Sequence, residues 1–169
     1  GTLRMARAAA EANVSRFVFI SSAVVHGPGP FPAPIREDAP LAPATTYAAS
    51  KAEAETAMWD LAAETDLDVT VLRPPLIYGP GAGGNFARLV AWAQKGRPLP
   101  SAARTNRRSM IGLDNLCDAL VTASRHPQAG GRAFFVADEE DLSTGELYAR
   151  ICRALGRQPR FLPLPGALL

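Results

Sequence analysis

The sequence is poor in lysine, net charge and long apolar runs. Lys51 and Lys95 are its two lysines, and its net charge is +2 over 169 residues. So small a charge gives no electrostatic reason to bind nucleic acid. No run approaches the roughly 20 apolar residues that cross a bilayer, and the first residues show no signal-peptide pattern. We therefore expect a cytoplasmic protein that binds neither nucleic acid nor membrane.

Cysteine is equally scarce. Cys117 and Cys152 form no CxxC pair and have no histidine at metal-ligand spacing. Both fall in predicted helices with apolar neighbours, so we expect reduced thiols in the core and no metal site. The remaining composition, 47% hydrophobic and 20% charged, is that of an ordinary globular protein, and the length is that of one domain.

Strands alternate with helices along the chain. Residues 16–20 are almost wholly apolar, which favours a parallel strand buried on both faces. Two further strands are predicted at 69–73 and 132–136. Helices are predicted at 2–12, 44–64, 86–95, 115–124 and 144–155. Their expected caps are Thr45 or Thr46, Asp114, and Ser143, the last in a capping box with Glu146.

Proline and glycine mark the segments between these elements. Residues 27–43 contain six prolines and two glycines and are predicted to form a loop, as are residues 76–84. Residues 99–113 are predicted to be short and irregular, and 161–169 are left unassigned. The order of elements is typical of a doubly wound α/β sheet, with a smaller mixed region after residue 74.

One predicted helix begins with a tyrosine and a lysine four residues apart, in the run Tyr47-Ala48-Ala49-Ser50-Lys51. On a helix the two lie on one face, about 6 Å apart along the axis. A phenol titrates near ~10 in water, and a fixed ammonium nearby favours the phenolate. The pair therefore indicates acid-base chemistry on an alcohol or ketone, although a solvated surface pair has the same spacing.

Small residues follow two of the predicted strands. Ser21 and Ser22 come directly after the strand at 16–20, and Pro74 and Pro75 after the strand at 69–73. Ligands of doubly wound sheets bind at the carboxyl ends of the strands. We therefore expect a binding site at this edge of the sheet.

Five motifs occur in one order along the chain. They are FVFISSAVVHG at 17–27, EDAP at 37–40, YAASK at 47–51 with Glu53 and Glu55 after it, LRPPLIYGPG at 72–81, and the stretch 108–119. Together they resemble the extended short-chain dehydrogenase/reductase family, in particular its nucleotide-sugar epimerases and dehydratases of the UDP-galactose 4-epimerase type. The resemblance covers nearly the whole chain. It implies a Rossmann-type fold, with 1–74 as the second half of the cofactor domain and 75–169, interleaved with it, as mainly a substrate-binding region.

The resemblance also implies roles for the residues at the strand ends. Tyr47 would exchange a proton with a sugar hydroxyl, Lys51 would hold the nicotinamide ribose, and Ser22 would hydrogen-bond the same sugar oxygen. Ser21 and Pro74 would lie beside the cofactor. That cofactor is NAD by resemblance, and NADP stays open.

Two later residues would bind the substrate. Asn85, which follows a glycine run, and Arg108 match positions that contact the diphosphate of a nucleotide sugar, with UDP as the expected nucleotide. A guanidinium fork suits a diphosphate. The alternative, that Arg108 belongs to a solvated cluster with Arg104 and Arg107, stays open.

Departures from the family pattern narrow the expected reaction. Ala23 and Val24 stand where the dehydratases carry acidic residues, so water elimination is disfavoured. The resemblance leaves epimerisation, or oxidation and reduction at a sugar carbon as in a 4-keto reductase. His26 replaces a common aromatic residue, and we assign it no catalytic role.

The family's glycine-rich GxxGxxG turn, which seats the cofactor pyrophosphate, has no counterpart before residue 27. We therefore expect a fragment of a longer protein or a degenerate homologue, with poor cofactor binding by itself. Uncovered sheet edges should lead to a homodimer or other self-association. The alternative function is a non-catalytic family member that binds nucleotide or a protein partner without turnover.

Overall fold

The computed structural model describes residues 1–29 and 31–163, which form two compact units. Unit 1 comprises Gly1–Pro75 and Asp114–Val136, and unit 2 comprises Leu76–Leu113 and Ala137–Leu169. Of the unassigned tail, 164–169 lie outside the described residues. The assignment of 1–74 and 75–169 to cofactor and substrate stays a prediction. Among the described residues, no helix has both the length and the apolar character needed to cross a bilayer.

Helices and strands alternate through both units. In chain order the elements are α1 (Thr2–Glu11), β1 (Arg16–Ile20), α2 (Thr46–Glu64), β2 (Asp68–Arg73), β3 (Leu76–Tyr78), α3 (Gly84–Gln94), β4 (Leu99–Pro100), β5 (Met110–Gly112), α4 (Leu113–Arg125), β6 (Arg132–Phe135), α5 (Thr144–Ala154) and β7 (Phe161–Leu162).

Unit 1 is built on a parallel three-stranded sheet in the order β1-β2-β6. The central strand β2 is buried, with Val69 and Val71 wholly enclosed. Because the strands are parallel, their carboxyl ends meet at one edge, which is where Ser21 and Pro74 follow β1 and β2. The predicted parallel α/β architecture is confirmed.

The core of unit 1 lies between this sheet and the helices α1 and α2. Both helices contribute small or flexible apolar side chains, and the buried cluster consists of Ala6, Phe19, Met58, Leu61, Leu67, Val69 and Val71. At the amino ends of the strands, Arg16 donates to the Asp68 carboxylate at 2.6 and 3.0 Å. The same guanidinium donates to the carbonyls of Ala123 and His126, so it ties the end of α4 to β1 and β2.

The expectation that 16–20 is buried on both faces is wrong for this chain. Only Phe19 of that strand is buried, and Ile20 is 38% exposed. Within the described residues β1 pairs with β2 alone, so one of its edges carries backbone groups without strand partners. Self-association through this edge stays a prediction.

Unit 2 contains two small parallel pairs, β3 with β5 and β4 with β7. Its core joins α3 to α5 through Ala93, Tyr148 and Cys152. Tyr148 donates its hydroxyl to the carbonyl of Arg97 at 2.8 Å and meets the Phe161 ring edge-on at 5.7 Å.

Three local predictions are wrong. Leu76–Tyr78 forms strand β3 because it pairs with β5, which lies more than 30 residues later. Cys117 is exposed, because the buried face of α4 carries Leu116 and Ala123, whereas Cys152 is buried as expected. Asp114 lies in the first turn of α4 rather than at its cap.

The capping box at the start of α5 is confirmed. The amide of Glu146 donates to Ser143 Oγ at 3.0 Å, and the amide of Ser143 donates to Glu146 Oε2 at 2.7 Å. These two bonds satisfy amides that a helix start otherwise leaves without acceptors.

Replacing the cap residue should destabilise the protein. Ser143→Ala removes the acceptor for the Glu146 amide and should lower the free energy of unfolding by about 1 kcal/mol, as measured by urea denaturation. Ser124→Ala is the matched control, since that exposed hydroxyl bonds to Val121 O in the last turn of α4. It should change stability by less than about 0.5 kcal/mol. Equal losses in both variants would contradict the capping role.

The charge of Glu146 should make this stability depend on pH. The hydrogen bonds from Ser143, chiefly the backbone one, hold the pKa of Glu146 below its ordinary value of 4.5. A pKa lowered by folding stabilises the protein above the unfolded value, and the gain is lost as pH falls through the folded value. The stability advantage over Glu146→Gln should therefore be present near neutral pH and be lost progressively as the pH falls below the unfolded value of about 4.3, as paired urea titrations measure. An advantage that grew on acidification would refute this.

Candidate active site

Tyr47 and Lys51 meet at the start of α2. The Thr45 side chain caps the helix by accepting from the Ala48 amide at 3.1 Å, which fixes the turn that contains Tyr47. Lys51 Nζ lies 5.9 Å from the centre of the Tyr47 ring and 5.0 Å from that of Phe19. It also donates to Ile20 O at 2.8 Å. The ammonium is thereby held between the phenol and the carboxyl end of β1.

Tyr47 differs from the other two tyrosines in its surroundings. A hydrogen bond to Asp138, at 2.7 Å from the hydroxyl, raises the pKa of Tyr78. Burial raises the pKa of Tyr148. The hydroxyl of Tyr78 is thus engaged and that of Tyr148 is enclosed, whereas Tyr47 is 58% exposed and has a cation beside it.

The serines after β1 lie at the same end of the sheet as Lys51. The amide of Ser21 donates to Leu72 O at 2.7 Å, and that of Ala23 donates to Pro74 O at 2.9 Å. Ser22 begins a short 3₁₀ helix, Ala23–His26, without a hydrogen bond from its side chain to that helix. Unit 1 thus brings Ser21, Ser22 and Pro74 to the sheet edge that Lys51 contacts.

Ser21 has an unusual hydroxyl. Its Oγ is buried, and within 1–29 and 31–163 it is the one buried side-chain oxygen or nitrogen that lacks a hydrogen-bond partner. An unpaired buried polar group costs about 1–3 kcal/mol. Such an atom beside a candidate site is consistent with a ligand that supplies the missing partner.

Unit 2 contains a cavity of about 280 Å³. Asn85 and Arg108, which were predicted to share a ligand, both line it. So does Arg88, one turn after Asn85 on α3, a residue that was not predicted from the sequence. The complete lining is Leu76, Asn85, Arg88, Leu89, Trp92, Leu99, Arg108, Met110, Leu142, Ser143, Thr144 and Leu147.

The backbone of Arg108 is fixed while its side chain is available. Arg108 and Leu142 exchange backbone hydrogen bonds of 3.0 Å in each direction. The neighbouring Arg107 donates instead to Asp141 O at 3.1 Å and lies 4.0 Å from the Glu146 carboxylate. In the described part of the chain, no side-chain hydrogen bond or ion pair occupies the guanidinium of Arg108 or Arg88. The cavity wall therefore carries two cations that can meet an anion.

Sequence comparison establishes the family. Residues 1–137 match the NAD dependent epimerase/dehydratase family. The chain belongs to this family. It is 39% identical over 167 residues to a UDP-glucose 4-epimerase of Vibrio cholerae, a match that covers 98% of this chain and 51% of the relative. The chain spans about half the length of the curated relatives it matches.

Structural comparison supports the same fold. The UDP-glucose 4-epimerase of Thermus thermophilus, in complex with NAD, superposes with a TM-score of 0.79 at 24% identity. That match covers 97% of this chain and 56% of the other. The UDP-glucuronic acid 4-epimerase of Bacillus cereus gives a TM-score of 0.82 at 19% identity, over 96% of this chain and 52% of the other. The Rossmann-type α/β fold expected from the motifs is confirmed.

Proposed function

We propose that this chain provides the acid-base residues and the diphosphate-binding cavity of an NAD-dependent enzyme that transfers hydride at a carbon of a nucleotide sugar. The observation that carries the proposal is the Lys51 ammonium, held beside the exposed Tyr47 phenol at the carboxyl end of a parallel sheet. Family membership supports this class of reaction.

The residues at this edge fit the nicotinamide end of NAD. Lys51 uses one of its three N–H groups on Ile20 O, so two remain for ribose hydroxyls. The buried Ser21 hydroxyl has no protein partner in the described chain, and a bound cofactor can provide one. When bound, NAD supplies the hydride acceptor that the side chains themselves lack.

The chain's own residues then handle the proton. Oxidation of a C–OH carbon requires the hydroxyl proton to leave as the carbonyl forms. Tyr47 Oη accepts that proton, and the Lys51 charge favours the phenolate that accepts it. The Ser22 hydroxyl hydrogen-bonds the same substrate oxygen and so orients it toward Tyr47. Reduction of the keto sugar reverses these steps.

The cavity of unit 2 has the chemistry of a nucleotide diphosphate site. Arg108 and Arg88 provide cations, and the Asn85 amide provides a neutral donor. Most of the remaining lining is leucine with Trp92 and Met110, an apolar surface suited to a base ring. We assign the substrate to the UDP-sugars, the class named for the relatives.

The residues after Ser22 favour epimerisation or 4-keto reduction over water loss. Elimination of water needs an additional acid and base near the sugar. Ala23 and Val24 have no titratable group, and Val24 is 40% exposed.

A second candidate is a family member that binds nucleotide without turnover. It is favoured by the position of the cavity, whose lining residues all lie in unit 2 and include neither Tyr47 nor Lys51. Binding of UDP with no turnover of any UDP- or dTDP-sugar by the protein expressed from its complete reading frame would support this candidate.

Removing the Tyr47 hydroxyl tests the chemistry. Tyr47→Phe, in the protein expressed from its complete reading frame, should reduce turnover by a factor of about 10² to 10⁴ while UDP-sugar binding persists. A panel of UDP- and dTDP-sugars with NAD provides the assay. Tyr78→Phe is the matched control, because its hydroxyl is engaged by Asp138; it should retain turnover. Near-normal turnover by Tyr47→Phe would overturn the acid-base assignment.

Removing the Arg108 guanidinium tests the cavity. Arg108→Ala should weaken UDP binding about tenfold or more, because a hydrogen bond to a charged group contributes about 1.5–3 kcal/mol. Isothermal titration calorimetry with UDP measures the change. Arg107→Ala, next along the chain but directed to Asp141 and Glu146, should bind UDP as the parent does. Equal weakening in the two variants would indicate a general charge effect and contradict a specific site.

A further inference from the structure

A buried ion pair joins β2 to the helix that carries Tyr47. Arg73 Nε lies 3.1 Å from both carboxylate oxygens of Glu55, and its Nη2 lies 2.6 Å from Oε2. Arg73 is 4% exposed and Glu55 is 1% exposed. Two charges this deeply buried must be paired, because a lone buried charge is strongly unfavourable.

Glu55 also has a second potential partner. It follows Lys51 by four residues on α2, a spacing at which opposite charges attract along a helix. A Lys51–Glu55 pair would draw the ammonium away from Tyr47 and neutralise its field there. The ion pairs of the described residues do not include it. Lys51 instead donates to Ile20 O and stays beside the Tyr47 ring.

Arg73 is held in place by acceptors from other segments. Its Nη1 donates to Glu37 O at 2.7 Å and lies 3.0 Å from His26 Nε2. His26 Nδ1 lies 3.2 Å from the carbonyl of Pro40, which only accepts, so Nδ1 carries the proton and Nε2 accepts from Arg73. The Glu37 carboxylate in turn accepts from the amide of Phe135 at 3.2 Å. These contacts hold the guanidinium beside Glu55.

We propose that Arg73 is a positioning residue of the candidate active site: by engaging both oxygens of Glu55, it keeps that carboxylate from Lys51 and so keeps the Lys51 ammonium for Tyr47. The inference rests on the proposed function, in which Tyr47 exchanges the substrate proton. The charged or titratable groups involved are Lys51, Glu55, Arg73, His26 and Glu37. Of these, only Glu55 lies on the same helix as Lys51 at a spacing of four. Its carboxylate could therefore pair with Lys51 if it were no longer bound to Arg73.

The test is a mutant cycle read out at the Tyr47 phenol itself. Arg73→Gln frees the Glu55 carboxylate, and Arg73→Gln with Glu55→Gln removes the competing charge as well. Each variant is titrated by ultraviolet absorbance, and the titration of the same variant carrying Tyr47→Phe is subtracted. The difference gives the midpoint of the Tyr47 phenol and does not require turnover. The second readout is the midpoint at which turnover falls on the acidic side of its pH profile.

Arg73→Gln should raise both midpoints by about half a pH unit, the effect of one charge about 6 Å away through a largely aqueous medium, because the cation that favours the phenolate is neutralised. The double variant should return them to the parent value. Glu53→Gln is the matched control: it removes an exposed carboxylate from α2 only two residues after Lys51, a spacing that does not place the two side chains together. It should leave the midpoints unchanged.

Arg73→Lys keeps the test decisive if Arg73→Gln does not fold. It preserves a buried cation but cannot hold both oxygens as a guanidinium does, so the phenol midpoint should rise by a smaller amount. A folded Arg73 variant with an unchanged midpoint would overturn the proposal. The proposal would also be overturned if the phenol midpoint of the double variant were as high as that of Arg73→Gln. Retained turnover in Tyr47→Phe would contradict the proposed function but not the role of Arg73, because the phenol titration measures that role independently of turnover.

Discussion

A buried charge must be paired, and in unit 1 this constraint fixes the helix that carries the candidate catalytic residues. The Arg73–Glu55 pair links the end of β2 to α2 at 2.6 Å. Such a pair contributes little net stability, because desolvation offsets the attraction, whereas removing one partner costs about 3–5 kcal/mol. The pair therefore acts mainly by selecting one placement of α2 against the sheet. The rotation and depth of α2 that satisfy both charges also bring Lys51 to Ile20 O and Tyr47.

The proposed chemistry is divided between the two units. The acid-base residues Ser22, Tyr47 and Lys51 belong to unit 1, and the cavity residues Asn85 and Arg108 belong to unit 2. Each unit has its own buried core, so binding and proton transfer depend on separate sets of contacts. In the proposed enzyme, a substitution in the cavity would therefore act first on UDP binding, and a substitution at Tyr47 would act on proton transfer.

Features set by neighbouring residues could be predicted from the sequence. The capping box of Ser143 and Glu146 needs only a spacing of three, and the shared face of Tyr47 and Lys51 needs only a spacing of four. The resemblance pointed to Asn85 and Arg108 as one site, and both line one cavity. The catalytic and binding roles themselves stay predictions.

Features that depend on distant pairing were missed. Strand β3 follows two prolines, and its local sequence predicts a loop. It is a strand because it pairs with β5, which is distant in the sequence. The Arg73–Glu55 pair joins residues 18 apart, and periodicity says nothing about which residues meet across an interior. Arg88 was overlooked because an exposed arginine on a helix usually faces water; only the fold places it on the cavity wall.

The exposure of Tyr47 bears on how this arrangement becomes reactive. Two unit charges 4 Å apart interact by only about 1 kcal/mol in water, but by about 4 kcal/mol at an effective dielectric constant of about 20. With 58% of Tyr47 in contact with solvent, the Lys51 charge acts on the phenol through a largely aqueous medium. A ligand that covers the phenol would remove that water and strengthen the same interaction. In the proposed mechanism, Lys51 is thus already in position, and its influence on Tyr47 would become strong when a bound substrate covers the phenol.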